Sequence, residues 1–200
     1  MIIACDPGLS GALALWCWRT GRLDVVRMPT QTKQIAGRKL RTVIDEGEVL
    51  STLQAFAAMG ATHLFIEAVG GLPGQSAPAA FNFGQGYGTV RVAALAAGLA
   101  LEAIPPAVWK QALKVPRDKH AARHRASEMI PTHKHLWSMA KDDGLAEAAL
   151  LALYGERWIK GHFTKRTDAE QESVDDARRR IDAAAAEKRD RVAAREARKA

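Results

Sequence analysis

The chain opens on apolar runs too short for helices. IIACD carries an acid, Asp6, to its end and turns at Pro7-Gly8. GALALWCW and RLDVVRM come next, joined through Arg19-Thr20-Gly21. Short apolar runs bounded by glycine turns predict strands, here three in succession as an antiparallel meander. Pro29 to Thr42 is polar and basic, with Lys33, Arg38, Lys39 and Arg41. Asp45 and Glu48 form an Asp-x-x-Glu cap ahead of VLSTLQAFAAM, predicting a helix that stops at Gly60. THLFIEAV reads as another buried strand ending in an acid, Glu67, and GGLPGQSAP as a broken loop. A small-residue helix is expected from Ala79 to Gly98, then a strand, LALEAI, closed by Pro105-Pro106. Two short helices rich in Lys, Arg and His are split at Pro116 and ended by Pro131. DDGLAEAALLALYGERW is apolar nearly all round from Leu145, hence a buried helix. Beyond Thr164 the composition turns to Ala, Arg, Asp and Glu, a solvated helix or disordered tail. The pattern thus predicts a domain over residues 1–160 and a charged Ala/Arg/Glu-rich tail over 161–200.

Length and charge narrow the classes. Two hundred residues suit one domain with an appendage. With 29 basic against 22 acidic residues, a net charge of +7 and a pI near 9.7, the expected partner is a polyanion, nucleic acid before membrane surface. Cys5 and Cys17 form no CxxC site and read as buried thiols of a reducing compartment. The longest apolar stretch, VAALAAGLALEAI, is broken by Glu102 and falls short of the roughly 20 residues of a membrane span. The N-terminus shows no basic region with a cleavage site, so a cytoplasmic protein is expected, with no membrane partner.

Against this background four acids are out of keeping. Asp6 and Glu67 end apolar strands, and Asp143 and Glu147 sit on the buried helix. An isolated buried carboxylate is costly unless paired or metal-bound. One turn apart, Asp143 and Glu147 share a face and repel unless a cation lies between them. Asp142 points about 100° away from Asp143 and is the reserve candidate, with N-cap as its other use. Alone, each acid has an ordinary reading as turn residue, ion-pair partner or helix cap. Together, on separate rigid elements, they have the chemistry of a Mg²⁺ site, and two such ions about 3.5–4 Å apart can hydrolyse a phosphodiester.

These residues lie in segments that resemble the RuvC-like Holliday junction resolvases of the ribonuclease H-like superfamily, closest to their phage-type branch. The segments are IIACDPGLSGALAL, THLFIEAV, AFNFGQGYGTVRVAAL, PPAVWKQAL and DDGLAEAALLALYG, in order from Met1 to about Gly155. The resemblance implies an α/β fold with a mixed five-stranded sheet flanked by helices. It also implies a homodimer that binds four-way DNA junctions and nicks them with Mg²⁺, or Mn²⁺ in its place, two ions per active site and no organic cofactor. Asp6, Glu67, Asp143 and Glu147 would be the catalytic metal ligands. Lys110 and Lys119 would lie near the scissile phosphate and the junction backbone. Apart from the resemblance, Lys114, Arg117 and Trp109 of the same basic segment are further DNA-binding candidates. Two departures stand out: the last pair is spaced four apart and ends in Glu instead of Asp-x-x-Asp, and AVGGLPG lacks the aromatic wedge that bacterial members carry after the second acid.

Of the other signals, His120 and His124 have zinc-like spacing, but lysines and arginines on every side favour a phosphate-facing surface. Trp16 and Trp18 share a strand face and read as packing, whereas Trp109 beside Lys110 is the better candidate to stack on a base. Phe81 and Phe83 are expected to place at least one ring in the core. Two competing functions remain: a non-catalytic branched-DNA architectural protein, and an actin- or sugar-kinase-like phosphotransferase. The latter needs two phosphate-holding lobes, and the chain has one Asp-Pro-Gly.

Overall fold

The computed structural model describes residues 1–162 apart from 36–38, 71–73, 75 and 117. The chain divides after Lys160, and the first unit, Met1–Lys160, carries every element named below. Strand β1 (Ile2–Asp6) pairs antiparallel with β2 (Ala12–Cys17), and β2 with β3 (Arg22–Arg27). On its other side β1 runs parallel to β6 (His63–Glu67), which pairs parallel with β7 (Ala100–Ile104). The sheet is therefore mixed, five-stranded and ordered β3-β2-β1-β6-β7. As the central strand β1 is buried on both faces, which is why IIAC has no polar alternation.

Between β3 and the first helix the polar segment forms a separate hairpin, β4 (Thr30–Ile35) with β5 (Lys39–Ile44). Its polar, basic composition gives no strand pattern in the sequence, so the hairpin is an addition to the expected elements. Helix α1 (Glu46–Ala58) begins where the Asp45 carboxylate accepts the Glu48 amide, and α2 (Ala77–Ala96) where Ser76 caps Ala79. Both pack on one face of the sheet, over Ile3, Cys5, Leu13, Leu15, Leu64 and Ile66. Helices α3 (Pro106–Ala112) and α4 (Lys119–Met129) precede a 3-10 helix, Pro131–Trp137. A short 3-10 turn, Ala140–Asp142, then leads into α5 (Asp143–Ile159), buried along most of its length.

Helix α5 lies on the opposite face, along β1. A Cβ on Gly155 would come 2.6 Å from the Phe65 ring and 2.8 Å from Ile2 Cδ1. One on Gly144, three turns earlier, would overlap the Ser10 carbonyl and come 3.1 Å from Asp6 Oδ2. Glycine at both ends lets the helix rest directly on β1, with its N-terminus at the Asp6 end. Trp16, Trp109 and Trp137 are buried, and Cys17 is half-exposed where a buried thiol was expected. No helix among the described residues is long and apolar enough to cross a membrane.

Candidate active site

Cys5 lies opposite Ile66 in the parallel pair β1–β6, so the next residues, Asp6 and Glu67, end side by side at one sheet edge. Because Cys5 and Ile66 face the α1/α2 core, alternation turns Asp6 and Glu67 toward the α5 face. Glu147 comes from the first turns of α5, whose N-terminal dipole end favours negative charge there. Three elements distant in sequence thus converge. Lys110, on α3, donates from Nζ to Glu147 Oε1 at 2.7 Å.

The acids interact strongly. Burial, with Glu147 adding, pushes Asp6 up to about 6, against the Gly8 amide and Lys110, which favour its charge. That amide donates to Asp6 Oδ1 at 3.3 Å. Burial raises Glu67 to about 7; Lys110 opposes the rise, while Glu147 and Asp6 contribute to it. The Cys5 thiol beneath is held neutral by burial and by Asp6 and Glu67. The ammonium of Lys110 therefore holds together acids that would otherwise resist sharing charge.

The remaining acids each pair with an arginine. Asp143 accepts from Arg123 Nε, on α4, at 2.7 Å. Asp142 is buried; it accepts the Met139 amide at 2.9 Å and pairs with Arg27 of β3. Burial alone would raise it, yet Met139 and Arg27 keep it below the usual carboxylate range. Asp142 thus closes the turn before α5, paired with Arg27. Sequence reasoning misses Arg27 and Arg123, which set both acids, because pairs across distant elements carry no periodic signature.

Among the described residues no three His, Cys, Asp or Glu side chains are gathered as a metal site would gather them. Lys110 contacts Glu147. The donor chemistry nevertheless fits a hard divalent cation: Asp6, Glu67 and Glu147 offer oxygens only, and burial makes their combined charge costly without one.

The basic candidates separate. Lys110 belongs to the cluster, and its ammonium sits 5.1 Å from the centre of the Trp109 ring. Trp109 itself is wholly buried and cannot stack on a base, which corrects the expectation. On α3 the 100° step between neighbours turns Lys110 outward and Trp109 inward, so the ring is a support beneath the lysine. Lys114 is exposed with a left-handed backbone, φ 53°. Arg117 and the side chain of Lys119 lie outside the described residues. Phe81 is exposed and Phe83 half-buried, so neither fills the core.

No family model and no curated protein matches this chain. Among solved structures, Thermus thermophilus RuvC in complex with a Holliday junction substrate is similar at a TM-score of 0.50 and 17% identity, over 80% of this chain and 94% of that one. A second Thermus thermophilus RuvC structure gives 0.48 and 19%, over 78% and 95%. The fold is RuvC-like. Within the RuvC-like fold of this chain, the edge where Asp6 and Glu67 end is also the edge that receives Glu147 and Lys110.

Proposed function

We propose that the chain is a metal-dependent, structure-selective endodeoxyribonuclease that nicks four-way or other branched DNA. The observation carrying this reading is the convergence of Asp6, Glu67 and Glu147, from three separate elements, on one lysine at the edge of a RuvC-like sheet. Asp6, Glu67 and Glu147 would hold Mg²⁺ or Mn²⁺, with Asp143, one turn before Glu147, joining them on release from Arg123. Bound there as a pair, the ions would supply Lewis-acid activation of water and neutralise charge on the leaving oxygen. β1 and β6 fix two carboxylates on a rigid sheet, and the glycine contact at Gly144 fixes the helix that brings the third. Lys110, once free of Glu147, is placed to donate to a phosphate oxygen. Lys114, Arg117 and Lys119 follow it in sequence as contacts to the DNA backbone, and the net charge of +7 favours that partner.

The branched substrate is inferred from the neighbour, a RuvC described with a Holliday junction. Paired cuts require two copies, and we place their contact on α2, where Phe81, Val92 and Leu95 are exposed. Residues 1–160 would be the nuclease domain and 161–200 a charged tail.

The test uses labelled four-way junctions with Mg²⁺ or Mn²⁺. Wild type is expected to nick; Asp6→Asn and Glu147→Gln are expected to bind without cutting, because amides lack the charge the cations require. Wild type that binds junctions but nicks in neither ion would overturn catalysis and leave an architectural DNA-binding protein.

A further inference from the structure

Against the turn that follows Asp6 lies a cavity of about 590 Å³ that the catalytic reading does not use. Its walls are the β4–β5 hairpin, the N-terminal half of α2 and the turn Pro7 to Ser10 that succeeds Asp6. It is a built feature: a Cβ on Gly86 would come 2.5 Å from Ile44 Cδ1, so helix and hairpin are seated against each other at its floor. Its size falls in the range of about 300–1,000 Å³ typical of pockets for small ligands.

The lining has an unusual charge arrangement. Lys33 and Arg41 are direct cross-strand partners, and both line the cavity. Like charges facing each other across a hairpin destabilise it. Glu46 answers Lys33 only at 3.7 Å and is half-exposed; Arg41 has no carboxylate partner among the described residues. Two cations held together in this way are complementary to an anion. Phe83, half-buried, offers an aromatic face, and the exposed carboxamides of Gln34 and Gln85 offer donors and acceptors together.

We propose that this groove seats one unpaired nucleotide of the DNA strand presented to Asp6, its base against Phe83 and its phosphate between Lys33 and Arg41. Aromatic face, carboxamides and paired cations are what a splayed nucleotide recruits. Continuity fixes the position: Pro7 and Ser10 line the groove, and Gly8 between them donates to the Asp6 carboxylate. The proposal rests on the nuclease reading for its strand, though not for its test.

The test is fluorescence anisotropy of the full chain with a short fluorescein-labelled oligothymidylate in EDTA, where no cutting occurs. The double variant Lys33→Gln/Arg41→Gln is expected to bind about tenfold or more weakly and to flatten the salt dependence by about 0.7 in log–log slope, the share of the one phosphate seated between them. Phe83→Ala should lose at least about fivefold with the slope unchanged, and Phe83→Tyr should restore binding. Thermal melting identifies any variant that has failed to fold, in which case a 4-thiothymidine oligonucleotide crosslinked to folded wild type decides, expected on the Phe83 peptide. Unchanged binding in the folded variants, or a crosslink elsewhere, overturns the groove. If wild type never nicks junctions while the groove variants still lose binding, the groove stands and the catalytic reading falls.

Discussion

Lys110 Nζ lies 2.7 Å from Glu147 Oε1, joining α3 to α5 at the point where two strands end in carboxylates. Both side chains are partly exposed, so the pair is screened, yet the ammonium of Lys110 also favours the charged forms of Asp6 and Glu67, which Glu147 opposes. Lys110→Met is therefore expected to destabilise the fold by about 1–3 kcal/mol in EDTA near neutral pH. Saturating Mg²⁺ should shrink the deficit, since cations among the acids would replace the lost ammonium. Urea midpoints measured with and without Mg²⁺ check this; an equal deficit in both would mean that the lysine does not stand in for a cation.

The raised Asp6 gives a pH signature whose sign is fixed. Its proton is held more tightly folded than unfolded, so the stability it contributes is present below its usual value near 3.8 and is lost as pH rises through about 6. Asp6→Asn should therefore stabilise the metal-free protein, by about 1–3 kcal/mol near pH 8, with the gain fading toward pH 4. Denaturant midpoints across that range are the measurement. A variant less stable than wild type at high pH would contradict the raised value.

Arg123 pairs with Asp143, and breaking that pair should make the fourth carboxylate available to a cation. Arg123→Gln is expected to lower, several-fold, the Mg²⁺ concentration that half-saturates cleavage. Asp143→Asn should raise it in turn. Titrating Mg²⁺ against initial nicking rates separates the two, and identical curves for all three proteins would remove Asp143 from the ligand set.

Much of this geometry is legible in the sequence because burial leaves coarse marks. The central strand has to be continuously apolar, so Asp6 at its end stands out; the late helix is apolar all round, so Glu147 does too. The β4–β5 hairpin leaves no such mark: TQTKQI has no apolar alternation, and its partner strand contributes Ile44 to the core. Trp109 escapes a linear reading because neighbours along a helix, here Trp109 and Lys110, need not share exposure. The division of the acids is not readable either, since Asp142 and Asp143 differ only in which arginine, Arg27 or Arg123, reaches them.

Two glycines of α5 should respond differently to the same substitution. Ala gains about 1 kcal/mol of helix propensity over Gly, but at both sites its methyl meets atoms already in place. At Gly155 these are the side chains of Ile2 and Phe65, which can shift; Gly155→Ala should cost about 1–2 kcal/mol and leave nicking measurable. At Gly144 they are the Ser10 carbonyl and Gly11 Cα, with Asp6 Oδ2 at 3.1 Å. Backbone yields less, so Gly144→Ala should displace the helix start and lose nicking even where thermal melting shows a folded protein.

Lys114 ends α3 in the left-handed region, a position helices usually give to glycine. A lysine there costs about 1 kcal/mol, and no ion pair is formed by its ammonium among the described residues to offset it. Function accounts for the choice if the ammonium contacts DNA, four residues on from Lys110. Lys114→Gly should then raise stability by up to about 1 kcal/mol while weakening junction binding and reducing the salt slope by about 1. Lys114→Ala removes the same charge without relieving the backbone, so it should weaken binding equally and leave stability unchanged. Anisotropy titrations at several salt concentrations, paired with urea melts, distinguish these effects; unchanged DNA affinity in both variants would return Lys114 to a structural turn.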